Sequence, residues 1–141
     1  MRAFDPLHPR LRVSALAVFA YGSVSRGLAY IDAPQTGLTT FVDALVPLHV
    51  WAVVWIAAGT LMIAGIWHRV IARVALNLGG TLWAVWGLSY MVATIVGDSS
   101  RGWVTGALML TLAGSMYICA ALADSAGPPP GPVIPDSEET G

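Results

Sequence analysis

Apolar residues fall along this chain in four long runs, at residues 13–31, 44–67, 74–97 and 103–123, with most charged residues gathered between them and at the two ends. At about 1.5 Å of rise per residue, each run is close to the length that carries a helix across a hydrocarbon core of about 30 Å. The pattern predicts an all-α polytopic membrane protein, four transmembrane helices in an antiparallel bundle. A short segment at 1–12 leads into this bundle at 13–123, and a tail occupies 124–141. In that tail Gly127-Pro128-Pro129-Pro130-Gly131-Pro132 cannot continue a helix, and Asp136, Glu138 and Glu139 follow. Proline density and acidity predict an extended, disordered end.

Two of the links carry further information. Leu38, Phe41, Val42 and Leu45 lie at helical spacing in the link before the second run, which fits either a short amphipathic helix on the outer surface or a loop drawn against the bundle. Pro47 then marks the bend into the second span, where a first turn tolerates it. The link at 98–102 is short enough to make the third and fourth spans antiparallel neighbours.

Charge sets the expected orientation. Arg2, Arg10 and Arg12 precede the first run, and Arg69 and Arg73 lie between the second and third. The link at 32–43 has no basic residue and the link at 98–102 has only Arg101. With an even number of spans, five arginines share one face and one takes the other, so the positive-inside rule puts both termini in the cytoplasm. The first run has the look of a secretory signal, but cleavage after Ala33 would place Pro34 next and the run outlasts a usual apolar core. A retained anchor is expected. Trp67, Trp103 and Tyr30 lie at run ends, where amphipathic rings sit among headgroups.

Composition agrees with the runs and removes several classes of function. Only 11% of the 141 residues are charged, against about a quarter in a soluble globular chain. A net charge of −1 argues against nucleic-acid binding. The single cysteine, Cys119, lies in the fourth run, permits no intrachain disulfide and reads as a packing residue. The chain has no H-E-x-x-H and no phosphate-cradling glycine loop, and no run contains a pair of carboxylates. His49 and His68 are 19 residues apart, about 28 Å along one helix, too far to ligate one haem from the same span. An enzyme is not expected, nor a cofactor.

Three groups inside the runs are candidate functional features. Arg26 lies about 7–8 Å from the outer end of the first span, and His49 lies at a similar depth in the second. Together they are a candidate intramembrane polar spot, with Asp43 or Asp98 as neighbours; the plainer reading is an arginine snorkelling to headgroups and an interfacial histidine. Trp51, Trp55, Trp83 and Trp86 form a candidate midplane aromatic cluster, since Trp55 and Trp86 both fall about 16 Å from the outer ends. Their indole N–H groups need acceptors, for which Thr60, Thr81 and Ser89 are available. This cluster is read either as a ligand site or as bundle filling. Gly102, Gly106 and Gly114 form a candidate helix-packing or oligomer face, and Gly79-Gly80 marks a close approach or a soft point in the third span.

The start Met-Arg-Ala-Phe-Asp-Pro-Leu-His-Pro-Arg, four spans with tiny links, and a short hydrophilic tail resemble the small four-span membrane proteins of actinobacterial phages and prophages, some of them holin-like. All seven basic residues are arginine, in keeping with a high-GC genome. The acidic tail departs from the basic tails common among holins. The resemblance implies membrane permeabilisation in phage lysis. Partner binding as a membrane scaffold, for example in superinfection exclusion, is the alternative, and a small transporter or ligand-binding bundle is the third. The expected partners are the lipid bilayer and either further copies of the chain or another membrane protein.

Overall fold

The computed structural model describes residues 9–31, 33, 41–97 and 100–124. Residues 1–8, the tail from 125, most of the 32–40 link, Asp98 and Ser99 lie outside the described residues. The helices are α1 (Pro9–Ile31), α2 (Phe41–Leu45), α3 (Leu48–Ala64), α4 (Arg69–Val96) and α5 (Gly102–Asp124), with no strand among the described residues. The protein is an all-α bundle.

Helix ends follow caps and turns rather than the edges of the apolar runs. Pro9 opens α1, a position where a missing N–H costs no hydrogen bond. The run at 44–67 is divided: Pro47, with extended backbone, separates α2 from α3. The chain turns again at Gly65, where a Cβ would lie 2.7 Å from the Ala72 Cα. Tight i→i+3 bonds from Ile66 to Ile63 and from Trp67 to Ala64 close that turn. The helix within this run is therefore only 17 residues, about 26 Å. By contrast α4 begins five residues before its run, because nothing after His68 breaks a helix, and it ends at Gly97 in the left-handed region with φ 92°.

Two antiparallel hairpins make the bundle: α1 packs on α3, α4 packs on α5, and α3 on α4 joins them. Small residues set the first contact. A Cβ on Gly27 would fall 2.9 Å from the Ala52 carbonyl oxygen, and one on Gly59 would fall 3.0 Å from that of Ala20. Gly87 and Gly106 do the same between α4 and α5. Backbones that close gain dispersion contacts along the whole crossing. Gly79 and Gly80 make room for Met62 and the Tyr117 ring, so this pair is a close approach.

The interior holds small residues such as Ala20, Ala52, Ala72 and Ala75, together with Trp55, Trp86 and the methionines Met62 and Met116. Leu16, Leu48 and Leu76 are buried with them, while many other large aliphatic residues face outward, among them Val18, Val53, Val70, Ile95, Leu108 and Ile118. The helices Arg69–Val96 and Gly102–Leu122 are long and apolar enough to cross a membrane.

Candidate functional site: an arginine among indoles

One face of α1 carries Ser23, Arg26 and Tyr30, spaced so that helical geometry brings them into line. Opposite them α3 presents Trp51 and Trp55, four residues apart, and α4 presents Trp83 and Trp86. The four indoles meet edge to face. Ring centroids are 4.5 Å apart for Trp51 and Trp86, 5.2 Å for Trp55 and Trp83, and 5.3 Å for Trp55 and Trp86. The tryptophans expected to cluster are thus brought together, by the antiparallel crossing of α3 and α4.

Arg26 points into this group. Its Cζ lies 5.3 Å from the Tyr30 ring centroid, 5.3 Å from that of Trp55 and 5.9 Å from that of Trp86. Its Nη2 donates to the Tyr30 hydroxyl at 3.0 Å, and Trp86 Nε1 donates to the same oxygen at 3.0 Å. The magnitudes explain why the side chain stays inside. An arginine at a helix centre costs about 2.5–3.5 kcal/mol on insertion scales. A desolvated cation–π contact contributes up to about 2 kcal/mol, and a hydrogen bond to a charged group about 1.5–3 kcal/mol. Three ring faces and one such bond match the cost, so reaching the headgroups offers no advantage.

His49 does not join Arg26. It is exposed near the start of α3, two residues before Trp51 and so about 200° around the helix from the face that carries the indoles. Asp98 and the Asp43 side chain lie outside the described residues. Tyr30, expected among headgroups, turns inward as the shared acceptor. The hydroxyls expected to accept from the indoles take no bond from Trp55 or Trp83 and donate instead to their own helices. Thr60 donates to the Ile56 carbonyl at 2.9 Å, Thr81 to that of Asn77 at 2.9 Å, and Ser89 to that of Trp86 at 2.8 Å. Helical Ser and Thr commonly bond back to the preceding turn in this way. Trp51 Nε1 instead reaches the Val42 carbonyl at 3.2 Å and ties α2 to the bundle.

Four buried polar atoms in this region have no hydrogen-bond partner: Ser23 Oγ, Arg26 Nε, Trp55 Nε1 and Trp83 Nε1. Ser23 was not singled out from the sequence and Tyr30 was read only as a headgroup-level ring, although their spacing from Arg26 on one helical face was the available signal.

The glycine face divides. Gly102 and Gly106 are buried, and Gly106 is taken up by Gly87 inside the bundle. A Cβ on Gly114 would meet nothing within 4 Å. Cys119 packs partly buried against the core. Among the described residues no three of His, Cys, Asp and Glu come together. A groove at the start of α5, lined by Ser100, Arg101, Trp103, Val104 and Thr105, lies at the end of the bundle rather than at the indoles.

Comparison with protein families, with curated proteins and with solved structures gives no match.

Proposed function

We propose that this chain is a non-enzymatic integral membrane protein whose four long helices cross the bilayer with both termini in the cytoplasm, and that it binds and passes a small solute within its bundle. The observation that carries this reading is Arg26, a guanidinium held inside the bundle by Tyr30, Trp55 and Trp86. Ionisable residues inside membrane bundles are costly and are functional candidates by default, solute paths among them. The outward aliphatic faces of α1, α3, α4 and α5 support the membrane setting: Val18, Val53, Ile95 and Ile118 are exposed while alanine and glycine line the contacts between helices. Two helices satisfy the length and apolarity of a span. The 17 residues of α3 span about 26 Å, within what local thinning of a bilayer accommodates.

Vesicles reconstituted with the full chain test the reading. The wild type should pass small ions while retaining an encapsulated dye, and Arg26→Leu should pass none. Equal behaviour of the two proteins would sink it.

Holin-like permeabilisation is the second reading, favoured by Gly114, which stands open on α5 where another copy of the chain can approach. Release of the dye itself by the wild type would select it.

A further inference from the structure

We infer that Arg26, with Ser23, Trp55 and Trp83 beside it, is a binding site for a compact monovalent inorganic anion of the halide type. The inference deepens the membrane-bundle reading above and rests on it.

The first ground is the chemistry of the unpartnered atoms. Arg26 Nε, Trp55 Nε1 and Trp83 Nε1 can only donate, and the Ser23 hydroxyl can do so. Ser23 and Trp55 are 0% exposed and Trp83 is 9% exposed, so bulk water does not satisfy them. Each buried donor left unmade costs about 1–3 kcal/mol. The cluster therefore calls for a species that accepts hydrogen bonds and need not donate any.

The second ground is charge. Arg26 makes no ion pair among the described residues, and the rings against it are neutral: one phenol and two indoles. A water molecule satisfies donors without neutralising a guanidinium. An anion does both. Indole edges, which carry the positive part of the ring quadrupole, favour negative charge beside them as well.

The third ground is position. Ser23 and Arg26 are three residues apart on one face of α1. The Trp83 ring reaches Gly22, next to Ser23, at ordinary contact distance (3.5 Å from a Cβ built there). Trp55 touches both sides, 5.2 Å from the Trp83 ring and 5.3 Å from Arg26 Cζ. Rings packed this closely favour a compact ion over a large organic acid.

The test uses the full chain in detergent micelles, with chloride replacing gluconate at constant ionic strength and tryptophan emission as the signal. The wild type should respond saturably to chloride and bromide. Trp55→Phe and Trp83→Phe keep each ring and remove one donor, and each should weaken binding about tenfold or more. Arg26→Gln should abolish it, and Trp103→Phe, at the exposed start of α5, should leave it unchanged. A wild-type response that is absent or rises linearly without saturation overturns the proposal, and this needs no variant to fold. A response that survives Arg26→Gln in a protein of unchanged helical circular dichroism overturns it too. Arg26-dependent passage in vesicles without chloride or bromide binding in micelles would overturn the anion and leave the bundle reading standing. Anion binding in micelles without passage in vesicles would uphold the site and sink transport.

Discussion

Trp86 donates its indole N–H to the Tyr30 hydroxyl at 3.0 Å, joining α4 to the end of α1 across 56 residues of chain. The same oxygen accepts from Arg26, so one phenol holds the interior arginine and one of the two most deeply buried tryptophans. Tyr30→Phe keeps the ring and removes that shared acceptor, leaving two donors unmade. Hydrogen bonds inside membrane proteins contribute about 0.6 kcal/mol on average and up to about 1.7 kcal/mol. The variant should lose about 1–3 kcal/mol of stability, measured by denaturant unfolding in micelles. Unfolding at the wild-type midpoint would show that this phenol carries no structural weight.

Glycine substitutions along α5 should separate sharply. At Gly106 a Cβ would meet the Gly87 carbonyl oxygen at 2.7 Å, a backbone atom that cannot swing away. Overpacking of this kind costs about 1–3 kcal/mol, so Gly106→Ala should lower the thermal midpoint clearly. Gly114→Ala meets open space and should be neutral or slightly stabilising, since alanine is the better helix former. Equal effects at the two sites would contradict the close α4–α5 crossing.

His49 and Arg26, paired in the sequence reading, should behave differently. His49→Ala should leave stability and vesicle passage unchanged, because the residue is exposed on the far side of α3 from the indoles. Arg26→Leu should stop passage. Loss of passage in both variants would restore the two-residue polar spot.

Orientation is open to direct labelling. His68 and Ser100 are exposed at opposite ends of α4. In a background with Cys119→Ser, a cysteine at residue 68 should react with an impermeant reagent only after cells are broken, and one at residue 100 should react in intact cells. The reverse pattern would invert the orientation argued from the arginines, and equal reactivity would remove α4 as a span.

Much of the site was legible before the tertiary structure, and the physical reason is visible residue by residue. Trp51, Trp55, Trp83 and Trp86 were expected to meet because antiparallel helices with short links bring equal depths together, and their rings do touch. The direction of Arg26 was not legible. A guanidinium near a helix end either snorkels or turns inward, and the balance depends on three aromatic faces contributed by α1, α3 and α4. Hydropathy likewise does not mark where a helix stops. The apolar run at 44–67 reads as continuous, yet Pro47 and Gly65 cut α3 to 17 residues because one fixes the backbone and the other admits a turn against Ala72.

The sequence by itself determined the helical periodicity, the order of long apolar elements and the asymmetry of arginines, since each depends only on local spacing and composition. Tertiary structure alone decided which face each helix buries, that Gly106 is used against Gly87 within one bundle, and that Tyr30 turns inward between Arg26 and Trp86. Those outcomes turn on contacts between residues distant in the chain, where a few ångströms of helix approach decide whether a donor finds its acceptor.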